Sequence, residues 1–317
     1  MTTTEEQAPA SGQAAKASFG KSKVGGIVYV QPRRAGLGTL VAEFWRYRLL
    51  LSFFGLRFIR KRIARTWLGL IWVPLRPAAN LGIRIFVFGG LIGVATGGVP
   101  YPVFFLVASA AWMLFAESAY WATRSLEINR KLLPRVYVPK LVVVAAAAFP
   151  ALLEFAMVAI FAALAVLYYV LRADVFYLDL GLHTLLVPAG LLVLVLLGLG
   201  VGLMLSGVSA RARDVRFGVG YGISFLYFLT PVIYPLTAIP ERWRGLAGLN
   251  PLTGAIEMVK AGVFPDHPLS LKAVSVTLFW ALLLWIPGLW LFDRREAGVL
   301  AGRKFRLRQG FRGRRTT

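Results

Sequence analysis

Arg76, Arg84, Glu117 and Glu154 are charged residues set inside long stretches that otherwise carry almost no charge. A charge at the centre of a membrane-crossing helix costs about 2.5–3.5 kcal/mol, so such residues serve pairing or function. Depth counted along a helix from the ends opposite the basic loops sets Arg76 level with Glu117, about 25 Å in, and Arg84 level with Glu154, about 10–15 Å in. Matched depth permits two ion pairs. The alternative chemistry is that either planar guanidinium faces a channel and takes phosphate or pyrophosphate oxygens. Pairing is the better reading, because buried charges rarely go unpaired.

Tyr101, Phe105, Trp112 and Phe115 follow one another at steps of four, seven and three, which keeps them on one helical face. Such rings either pack against a neighbouring helix or guide a sugar chain across their flat faces. Catalytic constellations are wanting. There is no cysteine, the 14 acidic residues are scattered, and His183 and His267 have no evident partner. No metal site or catalytic residue is expected. A membrane-embedded glycosyl- or phosphotransferase, which needs clustered carboxylates or a base near a membrane face, is therefore the weaker alternative.

The elements that carry these residues are membrane spans. With 58% hydrophobic residues and a mean hydropathy of +0.68, 317 residues hold more apolar surface than one soluble core can bury. Six candidate spans, about 68–93, 101–122, 141–171, 184–208, 217–239 and 273–292, are each long enough for a helix to cross a core of roughly 30 Å. Of the 36 Lys and Arg, 29 fall before the first span, between spans two and three, between four and five, or after the sixth. That bias places both termini in the cytoplasm, in a multi-pass protein of the cell (inner) membrane. The net charge of +22 follows from it and from attraction to anionic lipid, not from nucleic-acid binding.

The predicted fold is all-α and polytopic. Residues 1–35 read as a disordered cytoplasmic tail, 36–66 as an amphipathic helix lying at the membrane interface, 67–293 as the six-span unit and 294–317 as a basic cytoplasmic tail. The stretch 240–265 holds two halves of about ten residues each, parted at Asn250-Pro251, and neither half can cross. It reads as an external re-entrant helical hairpin with Arg242, Trp243 and Arg244 at headgroup level.

Five blocks in order, RIARTWLGLIWVPLRP (62–77), VPYPVFFLVASAAW (99–112), INRKLLPRVYVPK (128–140), RARDVRF (211–217) and TPVIYPLTAIPERWRGLAGLNPL (230–252), resemble the polysaccharide and polyol-phosphate export permeases, membrane subunits of ABC exporters. The likeness runs from about residue 38 to 293. It departs from the family pattern at Ala111, where a proline is frequent, at Arg76, where an amide is usual, and in the longer basic tail after Asp293.

The resemblance implies a homodimer, each copy docked on a separate ABC ATPase subunit, that passes a lipid-linked glycan of O-antigen, capsule or teichoic-acid type. It implies a coupling helix in the loop 123–140, spanning 125–133, with Glu127, Asn129, Arg130 and Lys131 meeting the ATPase. It also implies an exit gate around Pro231, Tyr234, Pro235, Glu241, Arg242, Trp243, Asn250 and Pro251. Arg76, Arg84 and the four aromatic residues are then the candidates for channel or substrate contact. No cofactor is expected on this chain. Gly20-Lys21-Ser22 lacks the upstream glycine of a phosphate-binding loop, so ATP and Mg²⁺ are expected on the partner. An exporter of a smaller lipid or drug is the rival of the same class.

Overall fold

The computed structural model describes residues 20–24, 27–31, 44–63, 71–133, 138–173, 175, 177–179, 181–212, 214–264 and 267–289. Its helices are α1 (Arg48–Ile63), α2 (Trp72–Arg84), α3 (Tyr101–Ile128), α4 (Lys140–Ala145), α5 (Ala148–Ala173), α6 (Leu186–Ser209), α7 (Asp214–Leu229), α8 (Glu241–Gly248), α9 (Thr253–Ala261) and α10 (Leu271–Leu289). The fold is helical apart from a short antiparallel ladder, β1 (Gly20–Val24) with β2 (Ile27–Gln31). That ladder lies within the stretch expected to be a tail. The sequence between its strands, Gly25-Gly26, is one that two-residue hairpins favour. Residues 294–317 lie outside the described residues.

Four helices are long and apolar enough to cross a membrane: α3, α4 with α5 through Arg172, the run Leu182–Ser209 that contains α6, and α10. The other two expected spans are less regular. In the first, α2 passes into a π-helical section, Ile85–Leu91, after Arg84. In the fifth, the 16 residues of α7 rise only about 24 Å, because the chain turns at Thr230 ahead of Pro231.

Proline sets several of these boundaries. Pro100 precedes α3 and Pro139 precedes α4, places where a missing N–H and a fixed φ cost nothing. Pro150 crowds the carbonyl four residues back, and the helix opens into a turn at Ala146 and Ala147, between α4 and α5.

α3 is the axis of the bundle. Its most apolar stretch is 78% buried, against 22% for α4–α5 and for α10, so the latter two are left at the periphery. α6 and α5 pack on either side of α3, and α9 packs against α6 and α3. The contact between α3 and α6 is close because it is built on glycine. A Cβ at Gly198 would come within 2.7 Å of the Ser118 Cβ and 2.8 Å of the Phe115 carbonyl, and one at Gly202 would strike Ala122. Gly218 and Gly222 of α7 have nothing within 4 Å of such a position and lie on the outside of the chain.

Candidate functional site

The buried acids find an arginine that the depth argument passed over. Arg62, in the last turn of α1, places Nη1 2.7 Å from Oε2 of Glu117 and Nη2 against Oε1 of Glu154. Trp121 Nε1 donates to the same Glu117 oxygen at 2.8 Å. Glu154 is 2% exposed, so its charge depends on this contact. The expected pairs Arg76–Glu117 and Arg84–Glu154 are not formed. Counted from Arg172, Glu154 lies about 27 Å along its helix, level with Glu117 and away from Arg84. Two carboxylates at one level on α3 and α5 converge, and the helix end that reaches them is that of α1. Phe54 and Phe58 seat that helix, with the Phe58 ring 5.9 Å from Trp121, while Leu49, Phe53 and Leu56 remain exposed on one arc.

Arg84 instead rests over the ring of Tyr227 on α7, 4.3 Å from its centroid, and that ring meets Trp112 edge-on at 5.3 Å. Arg76 is exposed and lies 5.6 Å from the Trp72 ring on its own helix. The stripe Tyr101, Phe105, Trp112 and Phe115 is buried in the core. Tyr101 stacks on Phe105 at 5.7 Å and donates its hydroxyl to the Ile233 carbonyl at 3.1 Å. In this arrangement the stripe packs helices together.

After α7 the chain runs through Pro231, Tyr234 and Pro235 into α8 and α9. Tyr234 donates to the Phe228 carbonyl at 2.8 Å, Asn250 Nδ2 donates to Thr230 Oγ1 at 3.0 Å, and Asn250 Oδ1 accepts from the Leu252 amide at 3.0 Å. Asn250 and Pro251 thus form a pinned turn between the two short helices. α8 is exposed, with Glu241, Arg242 and Trp243 on its surface and Arg244 donating to the carbonyls of Ile239 and Thr237 at 2.8 Å each. α9 is buried throughout.

A buried charge cluster sits at this corner. Lys260, with no exposed surface, pairs with Glu257 at 3.0 Å, donates to the Pro231 carbonyl and lies 4.5 Å from the Phe104 ring centroid. His267 Nε2 is 2.8 Å from the other Glu257 oxygen. His267 therefore has a partner, contrary to expectation, and His183 Nε2 lies 3.5 Å from Asp179 Oδ2. The i, i+3 spacing of Glu257 and Lys260 was the signal in the sequence. Spacing alone does not tell which face of so short a helix is buried, and the segment is read only as half of a re-entrant hairpin.

At the opposite end, the expected separate helix over 125–133 is not formed. α3 continues to Ile128 and is followed by turns at 129–133, while 134–137 lie outside the described residues. Ser125 and Leu126 are buried within α3, so the chain has no break before the turn. Asn129 is fully buried and donates to the Ser125 carbonyl at 2.9 Å, and Glu127 pairs with Arg216 of α7 at 3.1 Å. Arg130 and Lys131 are exposed.

This arrangement defines a multi-pass membrane protein. Residues 54–264 match the family model for the ABC-2 type transporter, and the chain belongs to that family. It is 27% identical over 260 residues to the O-antigen export system permease protein RfbA of Myxococcus xanthus, covering 76% of this chain and 93% of that one. To the polysialic acid transport protein KpsM of Escherichia coli it is 24% identical over 246 residues, covering 77% and 93%. To the inner membrane transport permease YadH of Escherichia coli strain K12 it is 25% identical over 234 residues, covering 70% and 86%.

Proposed function

We propose that this chain is the transmembrane permease subunit of an ABC exporter that moves a lipid-linked polysaccharide, of O-antigen, capsule or teichoic-acid type, across the inner membrane. The observation that carries the reading is the near full-length likeness to permeases named for O-antigen export and polysialic acid transport. A separate ATPase subunit binds ATP and Mg²⁺ and drives the cycle. Both termini face the cytoplasm, and α2 with its π-helical section and α7 complete six crossings.

Two copies form the conduit. The unpartnered Gly218 and Gly222 on α7 support a close helix contact with a second copy, and exposed Arg76 of α2 then lines the space between them. α8 and α9 form a re-entrant hairpin at the outer face that frames the exit, with the Pro231–Pro235 turn held by Lys260 and Tyr101. Exposed Arg130 and Lys131 at the inner turn meet the ATPase, and α1 lies at the inner membrane surface with its Leu49, Phe53 and Leu56 arc in lipid.

Reconstitution tests this reading. Vesicles holding the permease, its ATPase and a fluorescent lipid-linked glycan should move the glycan to the opposite leaflet only with ATP. Transport of a small lipophilic dye and not of the glycan would favour the drug-exporter reading instead.

A further inference from the structure

Pro231 and Pro235 leave a backbone oxygen to be satisfied at the break after α7. In a continuing helix the Pro231 carbonyl would accept from the amide four residues on, but that residue is Pro235, which has no N–H. Lys260 of α9 supplies the missing donor. A second side chain, Tyr101 of α3, holds the nearby Ile233 carbonyl at 3.1 Å. The turn is therefore fixed by two side chains from elsewhere in the chain, and one of them is a cation with no exposed surface.

That cation depends on one carboxylate. Glu257 Oε1 lies 3.0 Å from Lys260 Nζ, and Glu257 Oε2 lies 2.8 Å from His267 Nε2. With the imidazole neutral, its N–H donates to the carboxylate and the three side chains carry no net charge. With the imidazole protonated, two cations share one carboxylate, and the Lys260 and Glu257 side chains are only 0% and 1% exposed. The surplus charge is costly in such a site, and it repels Lys260. Imidazole makes this change between pH 5 and 8, and the His267 side chain, 11% exposed, is the member of the group that solvent reaches.

The other neighbours of His267 do not offset that charge. From α3 it meets the Phe104 ring, with centroids 6.4 Å apart. The segments packed around this corner carry Asp179, whose amide donates to the Val263 carbonyl, His183, and Lys272 of α10. Asp179 and His183 pair with each other at 3.5 Å, and Lys272 is exposed. Asp266 lies outside the described residues. Among the described residues, Glu257, with Lys260 beyond it, is the charge that His267 faces.

We propose that His267 is a proton-sensitive positioning residue of the exit corner. Neutral, it shares Glu257 and leaves Lys260 seated on the Pro231 carbonyl; protonated, it draws on Glu257 and loosens Lys260, so that mild acid outside frees the turn. The inference rests on the reading above that puts α8 and α9 at the outer face.

Right-side-out membrane vesicles carrying the permease with its ATPase test this latch. Ile256→Cys is labelled by an impermeant maleimide added outside at about pH 8 and about pH 5.5, on either side of the imidazole range. Each rate is divided by that of Arg242→Cys, at an exposed residue, which removes the pH dependence of the thiol reaction itself. The ratio should rise about ten-fold on acidification, and His267→Gln, which keeps a neutral donor for Glu257, should abolish the rise. His183→Gln, at the other of the chain's two histidines, should leave it in place. Ala255→Cys, at a fully buried position of the same helix, gives the same reading with a smaller change of side chain where Ile256→Cys fails to fold. A ratio that does not move with pH, a rise that survives His267→Gln, or a rise lost with His183→Gln would each overturn the proposal. If Arg242→Cys is not labelled from outside, the outer-face reading fails and the latch with it; if it is labelled while the ratio stays flat, only the latch is withdrawn.

Discussion

Arg62 lies 2.7 Å from Glu117 and joins the last turn of α1 to the middle of α3, with Glu154 of α5 on its other nitrogen. One residue thus connects the helix before the first span to two helices of the bundle. Breaking a buried pair from one side leaves the other charge without compensation. Arg62→Ala is expected to destabilise the protein by about 3 kcal/mol, read as thermal unfolding in detergent. Adding Glu154→Gln should restore much of the loss. Arg84→Ala, by contrast, should leave the Glu154 contact intact, and a double-mutant cycle between Arg84 and Glu154 should give no coupling.

The glycine pairs make opposite predictions. Gly202→Leu forces α6 away from Ala122 on α3 and should lower stability by about 1–3 kcal/mol or more. Gly218→Leu and Gly222→Leu meet nothing within the chain and should leave the subunit folded while shifting cross-linked material from dimer to monomer. Loss of folding in all three would place Gly218 and Gly222 in a contact within the subunit.

Much of this fold is legible in the sequence, because hydropathy and proline report directly on helix length and helix ends. The α3, α5, α6 and α10 spans are read in that way, whereas the fifth, expected to run to 239, ends its helix at Leu229. Pairing is not legible to the same degree. Arg62 and Glu154 are 92 positions apart, and hydropathy says nothing of how a helix outside the spans is oriented against them. The same reason hides Lys260, whose contacts with Pro231 and Phe104 come from two other segments. The coupling segment differs from its expected form for another reason, since SLEINRKLL carries helix formers but its first four residues prolong α3 and the other five form turns.

The inner turn separates docking from folding. Arg130→Ala with Lys131→Ala should reduce stimulation of the ATPase and polymer export several-fold while the permease stays folded and inserted. Asn129→Ala removes a buried donor to the Ser125 carbonyl and should cost about 1 kcal/mol in stability. Full export by the Arg130/Lys131 double variant would remove the coupling role from this turn.

A cysteine-free chain allows single-cysteine mapping of the outer corner. Cysteine at Arg242 or Arg244 should react with an impermeant thiol reagent added outside, and cysteine at Ile256, which is fully buried in α9, should be protected. Lys260→Met should expose Ile256 to the reagent, because it releases both Glu257 and the Pro231 carbonyl. Equal, fast labelling at all three positions in the otherwise unaltered chain would show a plain solvated loop.

The most direct measurement of the account is made in the cell that encodes this chain. With the gene deleted, surface polysaccharide should disappear while the same polymer, still attached to its lipid, accumulates on the cytoplasmic side, and restoring the gene should reverse both. Loss of the polymer without intracellular accumulation would point to synthesis instead of export, and an unchanged surface polymer would contradict the assignment outright.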